Sequence, residues 1–453
     1  MVRNDDVTAL SRHVDQLFPA VRADLEALVR MRSVSADGPT TEGMQACAAR
    51  VETLLAAEGL AVRRLEVPGG PPAIFATLPA PAGAPTVLLY AHYDVQPPGD
   101  PAQWSVAPFE PMERGGRLFG RGASDDKSGI AIHLGTLRAL TALRGPGGIP
   151  VGVKVIVEGE EELGSPHIEE LLARYGDLLA ADAIVIADSE HWNVGTPALT
   201  TTLRGLVDCV IEVRTLEHGV HSGQFGGAVP DALRALVRAL ATLHDDVGAV
   251  AIPGLVHALD PTVEVEEAEL RASAGVVEGV HLVGSGPLAA RMWTRPSVSI
   301  LAIDAPPVSE AINQLVPVAR AKVSLRVAPG QAPAAALDAL VAHLERAVPW
   351  GARVMVTHGS SAPGFTLEQR GSAFTAFAEG MRAAWDVAPA EIGVGGTIPL
   401  ISLLASRFPA AAVLVTGVGE PTSRIHGPDE SQDLGELRRS ILAEAVALLH
   451  LAG

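Results

Sequence analysis

The sequence predicts an α/β protein with a mostly parallel central sheet, interrupted by an inserted α+β domain. Over residues 86–187, short apolar runs alternate with helical patterns, which is typical of strands buried on both faces of a parallel sheet. Near Thr200 the pattern changes to apolar–polar alternation, as in half-exposed strands. After about residue 366, apolar runs again alternate with helical patterns. We therefore predict a first domain in two parts, 1–198 and 367–453, with residues 199–366 inserted between them.

The first domain opens with two predicted helices, because apolar residues recur at helical spacing over 17–28 and 44–55. The alternation of strands and helices follows them. The predicted elements of this region are a strand at 86–91, a helix at 127–143, a strand at 151–157, a helix at 166–175 and a strand at 183–187.

The inserted block is predicted to hold strands of alternating polarity, with helices between or after them. These are strands at 202–214, 297–303 and 319–328, and helices at 230–243 and 333–347. The second helix begins with Pro333, a residue that suits the first helical position. The closing part is predicted to contain a helix ending at Trp385, a strand at 411–415 and a helix at 434–449.

Composition excludes several classes of protein. The 453 residues are 48% hydrophobic and 19% charged, which is a globular composition. The 34 basic residues against 52 acidic ones give a net charge of −18, which argues against a nucleic-acid partner. The cysteines Cys47 and Cys209 are too few for a disulfide framework or a thiolate zinc site. Without a signal-peptide core or an apolar run of membrane-spanning length, a cytoplasmic enzyme with no membrane partner is expected.

Polar residues follow the predicted strands of the first domain. His92 and Asp94 come directly after the strand at 86–91, and the period of two places them on one face. Open α/β sheets bind their ligands at this end of the strands. Asp94 could accept the second N–H of a metal-bound His92. Taken alone, the two residues are read more simply as a hydrogen-bonded pair in a loop.

Acidic residues mark three further strand ends or loop starts. The pair Asp125-Asp126 lies beside glycines where a helix begins, so it fits either a bound metal or a helix N-cap. Residues 158–162 carry four carboxylates, which are costly to desolvate unless cations offset them, although acids also stabilise a helix N-terminus. Asp188 ends the next strand. His426, in a late loop, would by itself be read as a surface residue.

Together these residues indicate a site for two metal ions. Two histidines with several carboxylates match the preferences of zinc, cobalt or manganese. One bridging carboxylate with two ligands on each side would hold two ions about 3.5–4 Å apart. Such a pair can activate a water and polarise a carbonyl, and a carboxylate that is not a ligand can then act as the general base.

Seven short segments, each weak alone, occur in order over essentially the whole chain. They are His92-Tyr93-Asp94-Val95-Gln96-Pro97, Trp104 with Pro108-Phe109, Gly120-Arg121-Gly122 with Asp125-Asp126-Lys127, residues 158–165, His221-Ser222-Gly223, Gly395-Gly396-Thr397-Ile398-Pro399, and His426. In residues and spacing they resemble the dinuclear zinc aminoacylase and glutamate-carboxypeptidase-like metallopeptidases, in particular the cytosolic nonspecific dipeptidase and carnosinase branch. The resemblance implies a zinc-peptidase-like catalytic domain, an inserted lid and dimerisation domain, and hydrolysis of dipeptides or short peptides.

The resemblance also implies two divalent ions per subunit, zinc in the first place and manganese or cobalt as alternatives. His92 and Asp188 would hold one ion, and Glu162 and His426 the other. Asp125 would bridge the two ions, which would hold a hydroxide between them.

Two more residues take catalytic roles by the same resemblance. Asp94 would orient His92, and Glu161 would be the general base that passes a proton from the attacking water to the leaving amine. The three consecutive glutamates, 160–162, leave the register open by one position. Glu162 begins a match to the ligand-x-Gly-Ser pattern of the family, and this places the base at Glu161.

The substrate-binding residues are assigned to the lid by the resemblance. His221 would reach the active site of a second subunit and stabilise the oxyanion, which implies a homodimer through the lid. Arg326, with Gly396 and Thr397, would bind the C-terminal carboxylate of a small peptide substrate. Without the family, His221 would be a surface histidine in a glycine-rich turn and Arg326 a solvated strand residue.

One departure from the family pattern keeps other functions open. Related dipeptidases often carry arginine two residues before the Gly-Gly pair, and Gly393 stands there instead. This change suggests, as an alternative, an N-acyl or N-carbamoyl amino acid amidohydrolase that uses the same machinery. A more remote alternative is a non-catalytic metal-binding scaffold. A nucleotide site is not predicted, since the glycines near 395 lack a P-loop lysine or dinucleotide spacing.

Overall fold

The computed structural model describes residues 3–367, 370–396 and 398–453. The chain forms two compact units, and the second comprises Thr202–Thr366 with Gly393–Pro399. Residues 393–399 were predicted to lie in the first domain. In this division they go with the second unit, in which the Arg204 side chain donates a hydrogen bond of 3.2 Å to the Gly395 carbonyl oxygen.

The helices are numbered in chain order. They are α1 (Asn4–Val29), α2 (Glu42–Ala57), α3 (Lys127–Arg144), α4 (Ile168–Leu179), α5 (Ser222–Phe225), α6 (Ala232–Ala241), α7 (Glu267–Ala274), α8 (Leu288–Trp293), α9 (Pro333–Ala347), α10 (Ser372–Trp385), α11 (Pro399–Arg407) and α12 (Leu434–Leu451). Among these helices of the described residues, none is both long and apolar enough to cross a bilayer.

The strands are numbered in the same way. They are β1 (Ala61–Leu65), β2 (Ala73–Leu78), β3 (Thr86–His92), β4 (Met112–Arg114), β5 (Arg117–Phe119), β6 (Gly152–Glu158), β7 (Ala183–Ile186), β8 (Ala198–Leu203), β9 (Gly205–Arg214), β10 (Val220–His221), β11 (Ser297–Asp304), β12 (Gln314–Leu315), β13 (Val318–Val327), β14 (Arg353–Ala362), β15 (Phe365–Thr366), β16 (Ala390–Val394), β17 (Ala412–Val415) and β18 (Ser431–Asp433).

The first unit is built on a sheet with the strand order β1-β2-β6-β3-β7-β17-β8. Its four central strands, β6, β3, β7 and β17, are parallel, which confirms the predicted α/β class. The flanking pairs are antiparallel, so the sheet is parallel only in its middle. The central strands are mostly apolar, and alternate residues of β3 and β6 share one hydrophobic core with α1, α3, α10 and α12.

The parallel register brings the carboxyl ends of three strands together. His92 at the end of β3 lies beside Glu158 at the end of β6. On the other side of β3, Tyr90 pairs with Ile186, the last residue of β7, and Asp188 follows two residues later. The polar residues predicted to follow the strands therefore lie at one edge of the sheet.

The second unit contains a four-stranded antiparallel sheet in the order β11-β13-β9-β14. Helices α6 and α9 pack on one face of it, and the alternate residues of β9 and β13 that point inward form their common core. The predicted strand at 202–214 is two strands, β8 and β9, separated by Arg204. Cys209 in this core, like Cys47 in the first unit, is a buried free thiol.

Candidate active site

The buried imidazole of His92 lies between two carboxylates. Its Nε2 atom is 3.0 Å from Asp125 Oδ1 and 3.8 Å from Asp188 Oδ1. One potential ligand atom from each of the three residues falls within 4.8 Å of the other two. This first group therefore has the spacing and the donor chemistry of a site for a divalent cation.

A second group of three residues shares Asp125 with the first. His426 Nε2 lies 2.9 Å from Asp125 Oδ2 and 3.1 Å from Glu162 Oε2. The two oxygens of Asp125 thus face different histidines, one in each group. The five residues predicted from sequence as metal ligands come together in this arrangement, with Asp125 in the middle.

The charges of the two groups favour cations. Hydrogen bonds to Asp125 and Glu162 raise the pKa of His426 to about 10. Burial alone would lower the pKa of His92, but hydrogen bonds to Asp125 and Asp94 outweigh it and raise the pKa well above 6.5. The carboxylates stabilise positive charge at both histidines, so the residues fit two divalent ions.

Asp94 holds residues of both ligand groups in place. Its carboxylate accepts the backbone N–H groups of Glu161 at 3.2 Å and Glu162 at 3.1 Å. His92 Nδ1 lies 3.0 Å from the Asp94 carbonyl oxygen and 3.3 Å from its carboxylate. Because a carbonyl oxygen only accepts, His92 carries a proton on Nδ1, and Nε2 is the nitrogen that would face a metal.

The three consecutive glutamates have three different environments. Glu160 turns away from the metal groups and holds His167, with the carboxylate 2.8 Å from Nδ1 of that imidazole. Glu162 is held by Gln96, whose side-chain amide donates to Oε2 at 2.8 Å. Burial, opposed by His92 and reinforced by nearby carboxylates, raises the pKa of Glu161 to about 8. Glu161 therefore takes up a proton more readily than an ordinary glutamate does.

The sequence left a metal ligand and a helix N-cap open for the pair Asp125-Asp126, and the structure places the two side chains differently. Asp126 is the N-cap of α3, and its carboxylate accepts the Gly129 N–H at 3.1 Å and the His92 N–H at 3.2 Å. Asp125 points instead toward the two histidines.

Glu430 and Arg121 hold the loop that carries Asp125, and the sequence alone predicts no role for either residue. The buried Glu430 carboxylate accepts the backbone N–H groups of Gly122, Ser124 and Asp125 at 3.0–3.1 Å. Arg121 donates to the same carboxylate at 2.5 Å and to the His426 carbonyl oxygen at 3.1 Å. Arg121 belongs to the Gly120-Arg121-Gly122 segment, but nothing in the sequence links it to Glu430, which lies more than 300 residues away.

In the second unit, Arg204 contacts the glycine loop, and Arg326 lies on β13. Arg326 on β13 is paired directly with Ser297 on β11, so their side chains share one face of the sheet. Arg204 donates to Ser297 Oγ at 2.9 Å and to the Gly395 carbonyl oxygen. Arg204 was missed from sequence, because a single arginine between two strands carries no pattern. The predicted substrate residue Thr397 lies outside the described residues, next to Gly396.

The surroundings of Gly393 leave no room for a side chain. A Cβ atom at this residue would lie 2.6 Å from both Thr202 Oγ1 and Trp293 Cβ. These distances are shorter than real carbon contacts allow. The local packing therefore requires glycine, and an arginine would need Trp293 to move.

His221 lies at the end of β10 in the second unit and is exposed. Its Nδ1 atom accepts the Gly223 N–H at 3.0 Å. Because Nδ1 is an acceptor, the neutral imidazole carries its proton on Nε2 and can donate from there.

Comparison with known proteins agrees with this geometry. The chain is 38% identical over 375 residues to the cysteinylglycine-S-conjugate dipeptidase of Corynebacterium striatum, a match that covers 81% of each chain. It is 29% identical over 348 residues to the Beta-Ala-His dipeptidase of Rattus norvegicus, covering 74% of this chain and 70% of that protein. The crystal structure of human carnosine dipeptidase 1 has the same fold, with a TM-score of 0.81 over 98% of both chains at 24% identity.

These matches confirm the resemblance found from sequence. The model of peptidase family M20/M25/M40 matches residues 88–450, which is most of the chain. The chain belongs to peptidase family M20/M25/M40.

Proposed function

We propose that this protein is a two-metal dipeptidase that hydrolyses the peptide bond of dipeptides or short peptides. The observation that carries the proposal is the shared carboxylate of Asp125 between two ligand groups, with the carboxylate of Glu161 beside them. Both relatives named above are dipeptidases. A shared carboxylate can hold two ions close together, which two-metal hydrolysis needs.

His92, Asp188 and Asp125 would hold one ion, and Glu162, His426 and Asp125 the other. Zinc suits this set of imidazole and carboxylate donors, and manganese or cobalt would also be accepted. When bound, the two ions would activate a water and polarise the substrate carbonyl.

Glu161 would take the proton from the attacking water and pass it to the leaving amine. Its burial favours this role, because a carboxyl group whose pKa lies near the working pH both accepts and returns a proton readily. Asp94 holds the backbone at Glu161 and Glu162, so it keeps the base and one ligand in a fixed relation.

The Nε2–H of His221 would donate to the developing oxyanion. We propose that it acts in the active site of a second subunit, in a homodimer formed through the inserted unit. Edge strand β11 exposes Ile300, Leu301 and Ile303, and Val308 just beyond it is 96% exposed. Apolar side chains along a sheet edge favour association with another chain.

A mixing experiment tests His221 acting across subunits. The variants His221→Ala and Glu161→Gln are each expected to be nearly inactive. Refolding or exchanging them together should restore about one quarter of wild-type activity, since half of the dimers would be hybrids with one complete site each. No restoration although hybrid dimers have formed, or a single-chain mass in solution, would contradict this assignment.

We further propose that Arg326, with Gly396 and Thr397, binds the C-terminal carboxylate of the substrate. Arg204 supports this site, because it connects the Gly395 carbonyl oxygen to Ser297, the residue paired with Arg326. A guanidinium group matches a carboxylate with two parallel hydrogen bonds.

The proposed function is tested by a matched pair of substrates with the metal-loaded protein. We expect amine release from the free dipeptide alanylglycine and much less from N-acetylglycine. Cleavage of N-acetylglycine alone would identify an N-acyl amino acid amidohydrolase and would connect that activity to Gly393. No cleavage of any amide by protein that holds two ions would contradict both enzymatic assignments.

A further inference from the structure

Glu190 belongs to neither metal group, but its side chain lies among residues that adjoin the ligands in sequence. It follows the ligand Asp188 by two residues, and its backbone forms a parallel bridge with Gly419. A methyl group placed on Gly419 would lie 3.2 Å from Glu190 Cγ, 3.4 Å from Ser124 Oγ and 2.8 Å from Ile425 Cδ1. The side chains of Glu190, Ser124 and Ile425 therefore meet around this glycine.

The neighbours of Glu190 tie its position to the ligands. Ser124 precedes the shared ligand Asp125, and Ile425 precedes His426. Ser124 is 4% exposed, and its hydroxyl is buried without a hydrogen-bond partner among the described residues. A buried hydroxyl without a partner is costly, which points to a group that it would bind.

Most acidic residues around the metal groups are already paired. Glu160 binds His167, and Glu430 binds Arg121 together with several backbone N–H groups. Glu420 accepts hydrogen bonds from Thr422 and forms an ion pair with Arg117. By contrast, no residue in the described ranges forms an ion pair with the Glu190 carboxylate or donates a hydrogen bond to it. A partly buried carboxylate without such a partner is stabilised when a cation binds to it.

We propose that Glu190 binds the free α-ammonium group of the substrate's N-terminal residue, with Ser124 Oγ as a second acceptor. The inference rests on the proposed dipeptidase function and specifies it. In a dipeptide the ammonium group is on the carbon next to the carbonyl that is attacked, so it must lie close to the metal groups. An N-acylated amino acid places a neutral group there. Glu190 is thus the residue that makes the protein prefer a free amino terminus.

The test compares alanylglycine with propionylglycine, which has the same skeleton but hydrogen in place of the ammonium group. Wild-type protein should prefer alanylglycine. In Glu190→Gln, kcat/KM for alanylglycine should fall about 10- to 100-fold, the range expected for a lost charged hydrogen bond, while that for propionylglycine should not fall. Ser124→Ala should show the same selectivity with a smaller loss. Glu110→Gln, which removes an exposed carboxylate of the same unit, should change neither value.

Binding separates this inference from the proposed function. The dissociation constants of both compounds can be measured on metal-loaded Glu161→Gln and on the double variant that adds Glu190→Gln. A preference for alanylglycine that the second substitution removes would support the role of Glu190 even if turnover were absent. Equal effects on both compounds, or an unchanged preference, would overturn the inference. If the inference about Glu190 is overturned but the wild-type protein cleaves alanylglycine, the dipeptidase assignment still stands.

Discussion

Replacing Glu161 by glutamine should lower kcat by about 10²- to 10⁴-fold, the usual contribution of a general base or acid. The amide has the size of the carboxylate but cannot take up a proton. Metal content should stay at the wild-type level, because Glu161 lies outside both ligand groups. The measurement is steady-state hydrolysis of alanylglycine together with elemental analysis of the same samples.

Glu160→Gln is the matched control, because the two glutamates are adjacent and only one faces the metal groups. The amide oxygen of the substituted side chain can still accept the backbone N–H of His167, which Glu160 accepts at 2.9 Å. We expect activity close to wild type in this variant. Equal losses in both variants, or retained turnover in Glu161→Gln, would show that the base is another residue.

The fold was predictable where burial imposes a pattern on the sequence. The central strands β3, β6 and β7 are mostly apolar because residues on both of their faces are buried, and this pattern reveals them. Strand β14 alternates only over Val354 and Val356 before its exposed end, and it was not predicted. The antiparallel flanks were also not foreseen, since strand direction depends on connections that the local sequence does not encode.

The candidate site was predictable in part for a related reason. The carboxyl ends of parallel strands meet at one edge, so acids and histidines that follow strands come together. Glu190, Arg204 and Glu430 lie in loops, and nothing periodic marks them. Their neighbours are residues distant in sequence, as with Glu430 and Arg121. Such pairs emerge only once the chain has folded.

Replacing Asp125 by asparagine should have the largest effect on metal binding. Asp125 contributes an oxygen to each ligand group, so the substitution weakens both groups at once. Asp188→Asn and Glu162→Gln each weaken only one group. After dialysis against the same free zinc concentration, Asp125→Asn should retain less than one ion per chain, and the other two variants about one, against two in the wild type.

The exposed Asp177 provides the control, since Asp177→Asn removes a carboxylate from a helix surface and should leave two ions bound. Two ions retained by Asp125→Asn would contradict the shared-ligand arrangement. Loss of both ions from Asp188→Asn would contradict it in a different way, because it would mean that the two groups bind as one unit. Stepwise loss in the single-group variants, with the joint loss confined to Asp125, is the pattern expected when one carboxylate serves both groups.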